Sequence, residues 1–129
     1  MSRLLRLLIA SVSILAVSAC ATWMGGTSYT QVSDGVLVGT NNMTLYIFTK
    51  DGVGSGKSVC NAQCAINWPP LLVEANAQAS GDYTVIARDD GKKQLAYKGL
   101  PLYFWSKDAK PGDKTGDGRA EGAWKVAKP

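Results

Sequence analysis

One short pattern occurs twice in the chain. Residues 45–51 read Leu-Tyr-Ile-Phe-Thr-Lys-Asp and residues 102–108 read Leu-Tyr-Phe-Trp-Ser-Lys-Asp. In each copy, Tyr46 and Phe48, or Tyr103 and Trp105, alternate with residues that are themselves apolar. Period-two alternation is a strand signal. Apolar character on both faces places the strand deep in a sheet rather than at a wet edge. A tryptophan follows each copy at nearly equal distance, Trp68 after Asp51 and Trp124 after Asp108. The spacing implies a duplicated unit, with the copies in equivalent strands of two similar β units sharing one core. Neither half has enough residues to bury a stable core alone, so the halves should fold only together.

At 129 residues the chain has room for one domain. Its formal charge of +4 falls to +2 once a leader containing Arg3 and Arg6 is removed. Basic residues are scattered, Lys92-Lys93 being the one adjacent pair, so no nucleic-acid footprint is present. The chain contains no histidine. That absence excludes Ser-His-Asp triads, Cys-His dyads, His-ligated zinc or copper and haem attachment through Cys-x-x-Cys-His.

Arg3 and Arg6 precede an unbroken run of apolar and small residues at 7–17, too short to span a membrane and suited to a secretory signal. The run ends in Val17-Ser18-Ala19-Cys20, which resembles the lipobox of bacterial lipoproteins. There, small side chains admit the peptidase and the cysteine thiol carries the lipid. The alternative is an ordinary signal peptide with an incidental cysteine. The lipobox reading makes 1–19 a signal peptide, 20–28 the lipidated terminus and tether, and 29–129 a β domain. Ala21 lacks the Asp that resembles an inner-membrane retention signal, which points to the outer membrane in a two-membrane bacterium.

Within the domain, residues 29–32 read as a first strand, and 36–38 pairs with 44–48 across a turn at Asn41-Asn42. Residues 51–57 form a Gly-rich loop. Residues 58–67 suit a short helical turn that Trp68-Pro69-Pro70 stops. Residues 71–80 show no clear period. Residues 83–88 and 94–97 flank Asp89-Asp90-Gly91-Lys92, a hairpin signal. A two-residue turn at Asp90-Gly91 would set Ile86 opposite Leu95 and Thr84 opposite Tyr97. Gly99-Leu100-Pro101 then turns the chain into a strand at 102–105. Residues 108–122 read as a surface loop and 123–126 as a closing strand. The result is a small, mostly β, hairpin-rich domain, sandwich- or barrel-like, with a helical turn at the cysteine pair.

The paired motifs Tyr46-x-Phe48-x-x-Asp51 and Tyr103-x-Trp105-x-x-Asp108 resemble those of the bacterial secreted-repeat, or Yx(FWY)xxD, lipoproteins. The block Cys60-x3-Cys64-x3-Trp68-Pro69-Pro70 also fits, as do Gly99-x-Pro101-Leu102-Tyr103 and Pro111-Gly112-Asp113. The resemblance covers nearly all of residues 36–126. It implies an envelope location and lends no catalytic residue, because the family's function is unknown.

Asp51 and Asp108 could serve as metal ligands or an acid-base couple. Alternatively each closes a strand, its carboxylate accepting backbone N–H bonds from the Gly-rich loop that follows. Repetition favours the turn role, since a duplicated fold repeats its turns. Tyr46, Phe48, Tyr103 and Trp105 could line a ligand groove, but aromatics at period two in an apolar strand are more often core. In an oxidising compartment Cys60 and Cys64 default to a disulfide, which closes a very small loop and so leaves room for a redox role. Two motifs mislead. Gly52–Ser58 mimics a phosphate-binding loop, yet its required first glycine is Asp51. Residues 113–118 mimic an EF-hand start, yet position twelve is Trp124, leaving only weak calcium binding at Asp113 and Asp117.

The sequence therefore points to a non-enzymatic, lipid-anchored envelope module, without cofactor, that binds or spaces an envelope protein or small ligand. Alternatives are a thiol-disulfide or electron-transfer accessory using Cys60 and Cys64, and a weak oxygen-ligand metal binder.

Overall fold

The computed structural model describes residues 28–129. The expected signal peptide, Cys20 and the expected tether up to residue 27 lie outside the described residues. In chain order the strands are β1 (Thr30–Ser33), β2 (Val36–Gly39), β3 (Tyr46–Phe48), β4 (Leu72–Val73), β5 (Tyr83–Ala87), β6 (Lys93–Tyr97), β7 (Leu100–Tyr103) and β8 (Trp124–Val126). Among the described residues helix is confined to α1 (Gln63–Asn67) and a 3-10 turn over Thr49–Asp51; Arg119–Gly122 is a turn with left-handed backbone at Ala120 and Glu121, φ 54° and 57°. The domain is thus mostly β, in two sheets. β1 and β2 pair antiparallel; the larger sheet runs β4-β6-β7-β3-β8, with β5 on the other edge of β6. Leu37 joins the sheets, donating to Ala127 O at 2.9 Å and accepting from Leu45 N at 3.0 Å.

The two motif copies lie side by side. β3 and β7 are antiparallel, Tyr46 opposite Tyr103 and Ile47 opposite Leu102. β3 also pairs with β8, so the first copy is covered on both edges. Alternation sends Tyr46, Phe48 and Tyr103 to one face, where they pack with Trp68, Trp105 and Trp124. Leu45, Ile47 and Leu102 face the other way, towards Leu37, Leu71 and Leu95. Two apolar faces per strand thus build two clusters, one on each side of the sheet.

The halves exchange their ends. β8 follows the second motif yet pairs with the first, Ala127 N donating to Leu45 O at 2.8 Å. The segment after Trp68 does the converse: Leu71 N donates to Leu102 O at 2.9 Å and Phe104 N to Pro69 O at 2.7 Å. Each motif strand is completed by the other half.

Several local expectations need correction. The β5–β6 hairpin sets Ile86 opposite Gln94 and Thr84 opposite Ala96, one residue from the register of a two-residue turn. Gly91 N donates to Arg88 O and Arg88 N to Lys92 O, so the loop is Asp89-Asp90-Gly91, closed by Gly91 at φ 83°. This is a three-residue loop with glycine in the left-handed position. The next turn is Lys98-Gly99, at φ 48° and 83°, rather than Gly99-Leu100-Pro101. It makes Tyr97 and Leu100 the bonded pair, so Pro101 falls where β6 needs no donor. The second motif strand accordingly starts at Leu100 and ends at Tyr103. Trp105 lies beyond it, where Asp108 N donates to Trp105 O at 3.1 Å and bends the chain. In the first half, β2 pairs chiefly with β1 and meets residue 44 only through a Val38–Thr44 bridge. The helical turn occupies only Gln63–Asn67, because Ala62 at φ 52° breaks the segment before it.

Candidate functional site

The motif residues form a crossed clasp. Tyr46 Oη donates to Asp108 Oδ2 at 2.6 Å, and Tyr103 Oη donates to Asp51 Oδ2 at 2.5 Å. Each tyrosine therefore reaches the aspartate of the other copy. All four side chains are buried, both tyrosines completely. The remaining carboxylate oxygens take the following loops: Asp51 Oδ1 accepts from Val59 N at 2.8 Å, and Asp108 Oδ1 from Thr115 N at 3.0 Å and Thr115 Oγ1 at 2.6 Å. The strand-closing role of the aspartates is thus present, and the phenols add a link between copies. The sequence signal for that link was the joint repetition of Tyr and Asp, which does not say which partners meet.

Hydrogen bonds to ionised acceptors are short and strong, and they compensate burial of the carboxylate. Burial, followed by the hydrogen bond to a carboxylate, pushes the Tyr46 and Tyr103 phenols well above their ordinary range. Both remain protonated donors. Burial raises Asp51 as well, because it outweighs the bonds from Tyr103 and Val59 and the Arg88 charge.

Around the clasp the aromatics stack into a column. Trp68 and Trp124 lie parallel, centroids 3.8 Å apart at 3°. Trp105 caps Trp68 at 4.0 Å and Phe48 caps Trp124 at 4.2 Å. Tyr46 meets Trp68 edge-on at 5.4 Å, and Tyr103 meets Trp124 edge-on at 5.1 Å. A Cβ on Gly116 would sit 2.7 Å from Trp68 and 3.0 Å from Trp105, so only glycine fits there. Trp105, though outside a strand, is buried; Tyr46 and Tyr103 line no groove. Phe48 is half-buried at the other end of the column.

Arg88 is a functional-looking residue that sequence reasoning missed. It is buried, with Nη1 donating to Ser58 Oγ at 3.0 Å and Gln94 Oε1 at 2.7 Å, and Nη2 donating to Cys60 O at 2.6 Å. Its Nε makes no hydrogen bond, with Asp90 Oδ2 3.8 Å away. Ser58 Oγ also contacts Tyr103 Oη at 2.6 Å, so the guanidinium joins the clasp from behind. Arg88 directly follows β5, an ordinary-looking strand, and nothing local marks it.

Cys60 and Cys64 form a disulfide, Cα atoms 5.2 Å apart, beside the Trp68 cluster. The Cys60 side chain is fully buried and bridges the non-helical lead-in to α1. Among the misleading motifs, Asp113 Oδ2 accepts from Ala109 N and Lys110 N, and Asp117 Oδ1 from Val126 N. Among the described residues no three acidic or cysteine side chains converge as a metal group would require. Surface hollows lie elsewhere: one of about 230 Å³ includes Tyr29, Gln78, Ser80 and Tyr83, and a wider one of about 860 Å³ includes Ile47, Lys114 and Lys125. Neither is lined by the clasp.

A family model described as a secreted repeat of unknown function matches the chain twice, over residues 28–72 and 84–128. No curated protein and no solved structure matches it. The matched segments divide the structure into its two interlocked halves, each with one tyrosine and one aspartate of the clasp. The chain belongs to this family of secreted lipoprotein repeats and carries two copies of the repeat.

Proposed function

We propose that the mature protein is a non-enzymatic module, anchored to the cell envelope by lipid on Cys20, that binds or spaces an envelope protein or small ligand. The observation that carries this reading is the closure of the motif. Tyr46, Asp51, Tyr103 and Asp108 direct their polar atoms at one another and at backbone, in the buried interior. Groups so engaged are unsuited to acid-base work on a substrate. Binding would then belong to the outer surface, with the motif setting the frame beneath it. The buried Cys60 supports a structural bridge over thiol exchange. Outer-membrane placement rests on Ala21 following Cys20. One acyl chain gives only marginal attachment, and the several chains of a mature lipoprotein make it stable.

The test has two parts. Cys20→Ala should abolish fatty-acid labelling, and equal label in variant and wild type contradicts the anchor. Envelope partners cross-linked to wild type should also be captured by folded Asp51→Asn and Asp108→Asn variants. Loss of a partner from a folded variant would place the carboxylates in a binding site.

A further inference from the structure

The interior contains a set of groups that packing alone does not demand. Trp68 and Trp124 stack face to face with centroids 3.8 Å apart, and Trp105 lies against the other face of Trp68 at 4.0 Å, tilted by 30°. Of the natural side chains, indole and phenol give up an electron at the lowest cost apart from sulfur. A cation formed on one stacked indole is shared by its neighbours. Tyr46 and Tyr103 each meet one indole of this stack edge-on. Phenol oxidation requires proton loss, and each phenol already points its proton at a carboxylate, 2.6 Å away for Tyr46 and 2.5 Å for Tyr103. Electron donor, stacked carriers and proton acceptor are therefore in contact in one buried core.

The column also has a direction. Trp105 is its outermost indole, and the Arg119 guanidinium lies 4.9 Å from that ring's centroid. A fixed cation there disfavours a second positive charge on Trp105 and drives it inward to Trp68. The Trp105 Nε1 is buried without a hydrogen-bond partner, so no fixed acceptor stands ready to take its proton. Charge injected at Trp105 therefore moves on rather than being trapped as a neutral indolyl radical.

We propose that Trp105, Trp68 and Trp124, with the Tyr46–Asp108 and Tyr103–Asp51 pairs, form a one-electron relay serving an oxidant of the high-potential metal-centre class at the protein surface. The oxidant takes one electron from Trp105 and is reduced by one unit. Trp68 returns an electron to Trp105, and Tyr46 returns one to Trp68. As Tyr46 loses its electron, its phenolic proton passes to Asp108 Oδ2. The products are a neutral tyrosyl radical, a neutral carboxylic acid and the reduced oxidant. A one-electron donor reverses the sequence, the proton going back to the phenolate oxygen. Tyr103 and Asp51 offer the same step from Trp124. This activity is independent of the partner-binding reading and stands or falls separately.

The test uses the detergent-solubilised mature protein with a photogenerated trivalent ruthenium polypyridyl complex as oxidant. Radicals are followed by transient absorption and paramagnetic resonance. Tyr29, Tyr83 and Tyr97 are changed to Phe in every sample, so that a tyrosyl signal reports the clasp. Wild-type core should give a neutral tyrosyl radical formed through an indole cation. Trp105→Phe should slow its appearance about tenfold or more, the factor that ~1.4 kcal/mol of added barrier produces. Asp108→Asn with Asp51→Asn should leave the indole cation long-lived, since an amide accepts the proton poorly. If these core variants unfold, Arg119→Gln keeps the interior intact and should speed the first electron loss. Unchanged tyrosyl formation in the folded core variants, or an unchanged first step in Arg119→Gln, overturns the relay.

Discussion

The two repeats share a frame and secure it by different means. Both contribute one tyrosine, one aspartate and two aromatics of the column, Phe48 and Trp68 from the first and Trp105 and Trp124 from the second, and those elements meet across the middle of the molecule. The loops after the aspartates diverge. In the first repeat the Cys60–Cys64 bridge staples the loop, and Ser58, seven residues after Asp51, reaches Tyr103 and Arg88. In the second repeat Thr115 holds the matching position but bonds Asp108 itself, through both its backbone N and Oγ1. No cysteine is present there; Asp117 instead accepts from Val126 N at 3.1 Å. The clasp and the column are repeated, whereas the loops that follow the aspartates differ even where, as at Ser58 and Cys60, they are buried.

The largest expected effect comes from separating the halves. Residues 28–79 alone lack Tyr103, Asp108 and β8, and should show no cooperative thermal transition by circular dichroism. A folded half would break the account of exchanged ends. Next comes the column. Trp68→Ala removes the ring that touches Tyr46, Trp105 and Trp124, and should cost about 3–5 kcal/mol in denaturant unfolding. Trp105→Ala should fall at or below the lower end of that range, since its ring stands at the end of the stack. Equal losses would mean that position in the column carries no weight.

The disulfide separates the repeats more finely. Cys60→Ser with Cys64→Ser should leave a folded protein less stable by about 2 kcal/mol, as expected for so small a loop. The wild-type mature protein, with Cys20 lipidated and Cys60 paired with Cys64, should show no free thiol when purified from the envelope without reductant. A bridge that is readily reduced and alkylated in the native state would favour the redox reading of this loop.

The smallest effect is a dependence on pH. Asp51 has its folded pKa raised above the ordinary 3.8 by burial, so the folded state holds its proton more tightly than the unfolded chain. Stability from this group is therefore gained as pH falls through the raised value and lost as pH rises from 3.8 towards it. Asp51→Asn should flatten that part of the stability profile, while its slope elsewhere stays unchanged. A profile identical to wild type would show that Asp51 is more solvated than its burial implies.

Much of this frame was legible in the sequence. Period-two apolar residues located both motif strands, and apolar character on both faces placed β3 between two neighbours. The matched tryptophans announced the shared core, and the cysteine spacing fitted its bridge. Three features were not legible, each for a physical reason. Which tyrosine meets which aspartate depends on antiparallel pairing of β3 with β7, a long-range choice that no local window records. The β5–β6 register depends on whether Gly91 ends a type I turn or sits inside a tighter one, and both use the same residues. Arg88 looks like any strand-end cation until Ser58, Cys60 and Gln94 close around it.

The clasp across repeats is the central claim, and a pair of double-mutant cycles tests it most directly. Tyr46→Phe and Asp108→Asn remove the two ends of one bond between repeats, whereas Tyr46→Phe and Asp51→Asn alter two residues of the same motif that do not bond each other. Unfolding free energies should show a coupling of about 1–3 kcal/mol for Tyr46 with Asp108. The Tyr46 and Asp51 pair should be additive to within about 0.5 kcal/mol. Coupling confined to the pair within one motif, or additivity in both cycles, would contradict a structure held together by tyrosines and aspartates exchanged between its repeats.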